Sequence, residues 1–343
     1  MPDSAPPDST VSDAVAPHPP MPNPAMASST MPKLRLAVLI PCLNEEASIA
    51  AVVREFRALL PAAQLYVYDN HSSDRTAAVA AEAGAIVRHE ERRGKGHVVC
   101  RMFSEIEADI YLLVDGDGTY DAASAPGLIE RLIVERLDMV CGARVERGDD
   151  AYRRGHRFGN QVLTGLIAVL FGNRFRDMLT GYRVFTRRFV KSFPALSAGF
   201  EIETQLSVHA LQMRLRVAEI ETPYRARPAD SPSKLRTVRD GLRILRTIGT
   251  LVKEERPLGF FSSLFVLLAS GSILLAVPIM IEFMQTGLVP RFPTAILATG
   301  MMLLGFLLLT SGLVLDSVAR GRRELKRLHY LALPPLPSEP HKK

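Results

Sequence analysis

The stretch IYLLVDGDGTYD, residues 110–121, passes directly from an apolar run into three carboxylates interleaved with glycines. A short apolar run followed by such residues predicts a buried strand that ends in a tight turn. Three interpretations follow: a solvent-facing turn, a calcium-binding loop, or a place where a metal holds a substrate. A calcium loop starting at Asp115 would need Gly where Tyr120 stands and Glu where Pro126 stands, so it fails at two positions. The plain turn and the metal site stay open.

Strand-like and helix-like patterns alternate on both sides of this stretch. Strands are predicted at 36–40, 65–68, 85–88, 110–114 and 139–141, with the first ending at Pro41. Helices are predicted at 45–60, at 76–82, after Gly96 and at about 126–135. Such alternation indicates an α/β domain with a mainly parallel sheet and helices on both faces. Ligands of these sheets bind outside the carboxyl ends of the strands.

Polar segments follow the first four strands. They are PCLNEE at 41–46, DNHSSDRT at 69–76, RGKG at 93–96 and DGD at 115–117. The first turn lacks the G-x-G-x-x-G of a dinucleotide-binding domain, and Gly96 is followed by His97 rather than by the Lys and Ser or Thr of a P-loop. Each segment taken singly is compatible with a helix cap or a solvated loop. Four of them at one sheet edge favour a ligand site.

Two aspartates with a glycine between them suit a metal-bridged pyrophosphate. Carboxylates repel a pyrophosphate, but a hard cation such as Mg²⁺ or Mn²⁺ accepts oxygen ligands from both. Such a metal stabilises a nucleoside-diphosphate leaving group as its charge develops. The pair Asp115 and Asp117 therefore predicts a site for a nucleotide-sugar and its metal.

These four segments, taken in order, resemble the motifs of family 2 glycosyltransferases with a GT-A fold, a Rossmann-like architecture. The similarity covers roughly residues 34–236 and is greatest to synthases that load mannose or glucose onto dolichyl or polyprenyl phosphate. It implies a metal-dependent, inverting transfer of one sugar from a nucleotide donor, with UDP favoured over GDP, to a polyprenyl phosphate. The alternatives are transfer to another lipid or glycan acceptor, and a non-catalytic nucleotide-binding membrane protein of the same fold.

The resemblance also implies roles for residues near the donor. The base and ribose pocket would be lined by Pro41, Asn44, Glu45 and Asp69, with Lys95 close to it. Asp115 and Asp117 would form the DxD pair, with Asp117 the more direct metal ligand. Thr119 stands where the family often has a metal-binding Gln, and Asp121 is interpreted as a cap for the next helix.

Two later segments extend the resemblance toward the reacting centre and the acceptor. Residues 177–183, DMLTGYR, resemble a segment in which Asp177 orients the acceptor or the sugar. Residues 199–203 resemble a segment that opens a helix beneath the site, with Glu201 as a metal ligand and Glu203 as a catalytic residue; an ordinary helix-start carboxylate is the alternative for whichever of the two faces away. Cations for the acceptor phosphate are expected at Arg183, Arg225, Arg227 and Lys234, together with Ser233. Turn and membrane-surface roles remain alternatives for these residues.

Two apolar runs, residues 258–284 and 292–315, each exceed the roughly 20 residues that cross a hydrocarbon core. The first contains one charge, Glu282, and the second contains none, which predicts a transmembrane hairpin. Basic residues cluster before the first run and after the second, whereas the connecting loop has only Arg291. The positive-inside rule then places the catalytic domain and both termini of a multi-pass inner-membrane protein in the cytoplasm.

The remaining sequence divides the chain further. Residues 235–252 have an apolar face and an arginine-rich face, typical of a helix in the bilayer interface, with a bundle-packing helix as the alternative. The net charge of +6 is explained by clusters facing anionic lipid, so no nucleic-acid partner is predicted; a homo-oligomer stays open. The predicted parts are a disordered arm at 1–32, the catalytic domain at 33–230, a juxtamembrane helix at 231–256, a hairpin at 257–320 with spans at about 258–284 and 292–316, and a basic tail at 321–343.

Overall fold

The computed structural model describes residues 34–146, 175–194, 202–225 and 256–336, together with 249, 250 and 253. These residues form seven strands in one sheet. The strands are β1 (Leu36–Cys42), β2 (Gln64–Asp69), β3 (Ile86–His89), β4 (Ile110–Leu113), β5 (Met139–Glu146), β6 (Arg183–Thr186) and β7 (Val217–Tyr224). Their order across the sheet is β3-β2-β1-β4-β6-β5-β7.

The sheet is mainly parallel, as predicted. β1, β2, β3 and β4 pair in parallel, and so do β5 and β7, while β6 is antiparallel to both β4 and β5. Because β6 alone is reversed, the carboxyl ends of the other strands share one edge. We call this the carboxyl edge, and the opposite one the amino edge.

Helices cover both faces of the sheet. They are α1 (Glu46–Leu59), α2 (Thr76–Glu82), α3 (Lys95–Glu105), α4 (Ala125–Val134), α5 (Arg187–Ser192) and α6 (Ile202–Gln212). In β4, Tyr111 and Leu113 join the core cluster on one face, whereas Ile110 and Leu112 join the cluster on the other. This alternation follows from the two-residue period of a strand.

The predicted first strand ended one position too early. β1 continues through Pro41 to Cys42, with Pro41 opposite Tyr68 of β2. The neighbouring strand β4 pairs with β1 only as far as Leu39. The missing N–H of proline therefore removes no bond to β4, since that strand has already ended.

Two long apolar helices follow, α7 (Pro257–Thr286) and α8 (Phe292–Ala332). Both are long and apolar enough to cross a membrane, by length and composition. They pack on each other through small residues: the Ser272 hydroxyl donates to the Ala298 carbonyl at 2.7 Å, and Gly312 faces Phe261. Small residues let apolar helices approach closely.

The helix α8 runs through the boundary predicted at residue 320 and ends at Ala332. The residues beyond Leu315 are mostly Arg, Glu, Lys and Leu, which favour helix, and Asp316 pairs with Arg320 one turn on. The predicted tail at 321–343 therefore begins as helix. The predicted arm at 1–32 and nearly all of the juxtamembrane segment at 231–256 lie outside the described residues.

Candidate active site

The loop after β4 holds Asp117 in a fixed position. Its carboxylate oxygen Oδ1 accepts hydrogen bonds from the backbone N–H of Thr119 at 3.1 Å and from the Thr119 hydroxyl at 2.7 Å. The Ser48 hydroxyl of α1 donates to the Gly116 carbonyl at 2.7 Å. Asp117 and Thr119 are both buried. Thr119 therefore orients the carboxylate by hydrogen bonds at the position where the family often has Gln.

Two glycines make this turn possible. A Cβ at Gly116 would lie 2.5 Å from the sulfur of Cys42, so only glycine fits beside β1. Gly118 has a φ of +73°, in the left-handed region that glycine adopts without strain. The turn and ligand interpretations of this loop are therefore compatible, because the turn places both aspartates at the carboxyl edge.

Asp115 belongs to an ion network that joins three separate elements. The ammonium of Lys95, at the start of α3, lies 2.5 Å from Asp115 Oδ1 and 2.5 Å from Glu203 Oε1, at the start of α6. Burial alone would lower the pKa of Lys95, but the charges of Asp115 and Glu203 hold it well above its usual range. Lys95 is thus a permanent cation between two carboxylates.

The backbone of Gly181 packs directly against Asp115. A Cβ at Gly181 would lie 2.6 Å from Asp115 Oδ2, so the backbone approaches the carboxylate as closely as a glycine allows. The N–H of Gly181 donates to the Tyr120 hydroxyl at 2.7 Å, and this bond fixes the position of the Gly181 backbone. Nothing in the sequence pattern assigned a role to Gly181 or Tyr120 beyond their place in the motifs.

The residues present fit a divalent metal held jointly with a substrate. Asp115, Asp117 and Glu203 carry three negative charges against the single positive charge of Lys95. Within the described ranges, no group of three or more His, Cys, Asp or Glu side chains could hold an ion by itself. Mg²⁺ is commonly bound by one or two carboxylates plus substrate phosphates rather than by an all-protein cage. Asp115 and Asp117 supply that kind of partial oxygen shell.

The loops after β1 and β2 form a second polar region at the same edge. Asp69 is 6% exposed, and its Oδ2 accepts from the Ser72 N–H at 3.2 Å. Its other oxygen, Oδ1, is buried and has no hydrogen-bond partner among the described residues. Leaving a buried acceptor unpaired costs about 1–3 kcal/mol, so Oδ1 is suited to a donor group supplied by a ligand.

Asn44 and Glu45 tie these two loops together. The side-chain oxygen of Asn44 accepts from the Ser73 N–H at 2.7 Å, and the backbone N–H of Glu45 donates to the Thr76 hydroxyl at 2.9 Å. Asn44 has a φ of +51°, which asparagine tolerates better than most residues. Glu45 is the N-cap residue of α1 and Glu46 lies in its first turn, but the Glu45 side chain makes no cap bond among the described residues. The segment therefore both starts the helix and joins the two loops.

Asn70 connects three strand ends and was assigned no role from the sequence. Its amide nitrogen donates to the carbonyls of Glu90 and Arg92 at 3.0 and 2.8 Å, and its amide oxygen accepts from Gly94 at 2.7 Å. Its backbone N–H donates to Cys42 at 2.9 Å. The sequence signal for a role of Asn70 in the site was its position directly after Asp69. Its hydrogen-bond partners could not be inferred, because they lie in other loops of the chain.

Asp177 is paired with Arg144 rather than exposed to a substrate. The guanidinium donates to both carboxylate oxygens, at 2.6 and 2.9 Å. Burial raises the pKa of Asp177, but the hydrogen bonds and charge of Arg144 outweigh this and hold the pKa below its usual range. Asp177 is therefore ionised, and in this geometry it positions Arg144 and the loop rather than accepting a proton.

Arg183 corrects one expectation for the acceptor. Its side chain is 0% exposed and donates to the carbonyls of Thr180 and Met178 and to the Ser207 hydroxyl, at 2.9, 2.6 and 2.9 Å. It starts the reversed strand β6 and points into the core, where these bonds use all three guanidinium nitrogens. We therefore do not propose Arg183 as a ligand of the acceptor phosphate.

Arg225 lies on the rim of the loop after β4. Its guanidinium is 3.0 Å from Asp121 and 3.8 Å from Glu55, and its backbone N–H donates to Thr119. Asp121 precedes a short 3₁₀ turn, but its carboxylate accepts from side chains only, so it is not a side-chain cap. The other expected site residues, Glu201, Arg227, Ser233 and Lys234, lie outside the described residues.

Comparison with known proteins identifies the domain. The family model "Glycosyl transferase family 2" matches residues 37–193. Glycosyltransferase AglJ of Haloferax volcanii is 31% identical over 299 residues, covering 86% of this chain and 98% of AglJ. A dolichyl-phosphate hexose transferase of the same organism is 27% identical over 221 residues, covering 64% of this chain and 95% of the relative.

A solved structure agrees with the fold. Glucosyl-3-phosphoglycerate synthase from Mycobacterium tuberculosis, in complex with Mn²⁺, UDP-glucose and phosphoglyceric acid, aligns with a TM-score of 0.52 and 25% identity. The alignment covers 64% of this chain and 79% of that one. The GT-A architecture, a nucleotide-sugar-binding fold, is thereby confirmed. The chain belongs to glycosyl transferase family 2 and is a glycosyltransferase.

Proposed function

We propose that the protein is a membrane-bound, metal-dependent hexosyltransferase that moves one sugar from a nucleotide-sugar to a polyprenyl phosphate at the cytoplasmic face. The observation that carries this proposal is the network of Lys95, Asp115 and Glu203 beside Asp117 at the carboxyl edge. The two apolar helices on the same chain supply the reason for a lipid acceptor. The relative named for dolichyl-phosphate hexose transfer supports the same acceptor class.

The donor would lie along the carboxyl edge. Asp69, with its unpartnered buried oxygen, would accept a hydrogen bond from the base, and Asn44 and Glu45 would hold the pocket's wall. Asp115 and Asp117 would hold Mg²⁺ or Mn²⁺ together with the donor's phosphates. When bound, that metal supplies charge stabilisation to the departing diphosphate.

The network around Lys95 would hold the sugar. Lys95 pairs with both Glu203 and Asp115 and fixes their positions, and both carboxylates are suited to accept hydrogen bonds from sugar hydroxyls. An acceptor oxygen that attacks the fixed anomeric carbon from the side opposite the departing diphosphate forms its bond as the bond to the diphosphate breaks, which inverts the configuration. The phosphate oxygen of the acceptor is already anionic near neutral pH, so the step needs no strong general base. This suits Asp177, whose proton-accepting capacity is suppressed by Arg144.

The acceptor phosphate would approach from the rim that carries Arg225. Its guanidinium is about half exposed and would exchange Asp121 for a phosphate. Arg227, Ser233 and Lys234 remain part of this proposal from the sequence alone. Arginine can grip two phosphate oxygens at once, which would orient the attacking oxygen.

The experiment is a donor and acceptor screen with the purified full-length protein in lipid vesicles. UDP-glucose, UDP-N-acetylglucosamine, UDP-galactose and GDP-mannose are each offered with a polyprenyl phosphate and Mn²⁺. We expect one donor to give a labelled, lipid-extractable sugar phosphate. Absence of transfer from all four donors, with donor binding retained, would favour the non-catalytic alternative. Transfer only to a different lipid or glycan would favour the alternative acceptor class.

A further inference from the structure

The helix α8 extends well beyond the apolar run that could cross a membrane. The helix has 41 residues. At 1.5 Å per residue it is about 60 Å long, roughly twice the ~30 Å thickness of a hydrocarbon core. Its apolar run ends at Leu315, and Asp316 begins a polar part that continues to Ala332. We call residues 316–332 the strut.

The far end of the strut is built into the core of the catalytic domain. Tyr330 is 7% exposed and belongs to the core cluster on the α3, α5 and α6 face. Its hydroxyl donates to the buried Asp138 carboxylate at 2.6 Å. The guanidinium of Arg188 lies 4.3 Å from the centre of its ring and donates to its carbonyl at 3.2 Å. A surface tail would not bury an aromatic ring in this way.

Three further contacts join the end of the strut to the catalytic domain. Arg327 donates to the Met213 carbonyl at 2.9 Å, and Lys326 donates to Gln212 at 3.3 Å, both at the end of α6. His329 lies 3.1 Å from the Lys191 carbonyl of α5. Carbonyls at a helix end have no partner within the helix, so a basic side chain satisfies them well. These two cations of the basic cluster after the second apolar run therefore bond to the catalytic domain.

These contacts lie at the amino edge, opposite the candidate active site. Asp138 directly precedes β5, and its carboxylate also accepts from Arg216, directly before β7. The helix α6 runs from Glu203, beside Lys95, to Gln212, beside the strut. The active site and the pair formed by Tyr330 and Asp138, which we call the latch, therefore lie at opposite edges of the sheet.

The helix α8 is continuous from its apolar run to Tyr330. From Leu315 to Tyr330 it advances 15 residues, about 22 Å. An unbroken helix of this length therefore separates the end of the apolar run from the bond between Tyr330 and Asp138.

We propose that the strut is a rigid spacer that fixes the height of the catalytic domain above the lipid headgroups, with Tyr330 and Asp138 as its latch. The inference rests on the proposed function, since height above the bilayer limits turnover only when the acceptor is a membrane lipid. The class of partner is the headgroup layer, where a lipid phosphate is presented. Tyr330 is then a positioning residue, acting on the reaction through the placement of the whole domain.

The test lengthens the strut in the full-length protein. Seven helix-forming residues inserted after Gly321 add about two turns and about 10 Å, and keep the docking face in nearly the same direction. A Cβ at Gly321 meets no atom of the described residues within 4 Å, so this part of the helix is suited to an insertion. The matched control places the same seven residues in the connection between α7 and α8.

The distance between the catalytic domain and the bilayer surface is measured in an experiment that needs no glycosyl transfer. A dye on Glu91→Cys, an exposed position at the carboxyl edge, reports energy transfer to a headgroup-labelled lipid in vesicles. The three native cysteines are buried, so labelling is selective. We expect the strut insertion to increase the dye-to-lipid distance by about 10 Å and the control to leave it unchanged. An unchanged distance for the strut insertion overturns the proposal.

Activity supplies the second readout. The strut insertion is expected to lower transfer to membrane-embedded polyprenyl phosphate by tenfold or more, while a short water-soluble isoprenyl phosphate is used as before. Undiminished transfer to the membrane acceptor overturns the spacer role. If the wild-type protein transfers no sugar to polyprenyl phosphate but the height readout still shifts, the proposed acceptor fails while the spacer geometry stands.

Tyr330→Phe tests the latch with the ring retained. It removes only the hydroxyl bond to Asp138, so the fold should persist. We expect a higher KM for membrane polyprenyl phosphate with an unchanged KM for the nucleotide-sugar. An equal rise in both constants, or no change in either, would overturn the positioning role of Tyr330.

Discussion

Gly181 offers a test of the candidate site because its replacement moves Asp115 without changing any charge. A Cβ at residue 181 would lie 2.6 Å from Asp115 Oδ2, whereas ordinary van der Waals contact begins at 3.4 Å. Gly181→Ala therefore displaces the carboxylate by about 0.8 Å, the difference between these distances. The φ of Gly181 lies outside the left-handed region, so alanine adds no backbone strain.

The expected effect follows from the role of Asp115. A misplacement near 1 Å in a catalytic arrangement can lower the rate by about 100-fold. We expect Gly181→Ala to lower kcat/KM for the nucleotide-sugar by roughly 10- to 100-fold, or about 1.4–2.7 kcal/mol of transition-state stabilisation. Overpacking at one position should reduce folding stability by only about 1–3 kcal/mol.

The assay measures initial rates of transfer with purified protein in nanodiscs at several donor concentrations, and thermal melting on the same samples. Gly127→Ala is the matched control, since a Cβ there meets nothing within 4 Å. Gly127 lies within α4, so alanine should leave activity unchanged and stabilise the helix by up to about 1 kcal/mol. Wild-type kcat/KM in a folded Gly181→Ala protein would refute the placement of Asp115 at the reacting centre.

Three further predictions concern the buried charges. Lys95→Met leaves two carboxylates without their shared cation and should lower the free energy of unfolding by about 3 kcal/mol or more, measured by chemical denaturation; an unchanged value would contradict the ion network. Arg144→Gln should destabilise the fold more than Asp177→Asn, because only the former leaves a buried carboxylate uncompensated, and thermal melting in the reverse order would argue against that pair. Burial lowers the pKa of His209 to about 3 from its ordinary 6.5, so the unfolded chain binds the extra proton and stability falls as pH decreases below about 6.5. Between about pH 7.5 and about pH 5 this group should remove about 2 kcal/mol, and His209→Phe should flatten that part of the stability profile; an equally steep profile would show that another group is responsible.

The local sequence predicted the parts of the fold that depend on neighbouring residues. The helix at 76–82 was placed correctly, and the loop after β4 was recognised because an apolar run and a glycine-aspartate turn are adjacent in sequence. The edge of the sheet where the motifs meet also followed from strand direction alone. These inferences need only short-range patterns and a parallel sheet.

Contacts between distant segments were beyond such patterns. The bond from Lys95 to Glu203 joins two helix starts that are far apart in the chain, and Lys95 had been expected beside the base instead. Arg183 was interpreted as an exposed cation because nothing local reveals that β6 is a reversed strand inserted between β4 and β5. Its direction into the core depends on that pairing.

The strut illustrates the same limit in the membrane part of the chain. Basic residues after an apolar run are ordinarily placed at the lipid surface, and Lys326 and Arg327 fit that pattern in sequence. In the structure they bond the end of α6 because Tyr330 anchors the helix to the catalytic domain. Charge pattern alone does not distinguish a lipid-facing cation from one that caps a helix in the same chain.

The central claim is most directly tested by sugar transfer with Asp117→Asn. This change keeps the size of the side chain and the bonds from Thr119 while removing the charge that would hold the metal. Glu221→Gln is the matched control, because Glu221 is an exposed carboxylate of β7 whose ion pair among the described residues is with the exposed Arg176.

The measurement is transfer of labelled sugar from the nucleotide donor to polyprenyl phosphate in vesicles, with Mn²⁺ or with a chelator. We expect the wild-type protein and Glu221→Gln to form the lipid-linked sugar only with the metal, and Asp117→Asn to fall by about 100-fold or more while still inserting in the membrane. Turnover of Asp117→Asn at the wild-type rate, or undiminished wild-type turnover in the chelator, would contradict a metal-dependent glycosyl transfer at this site.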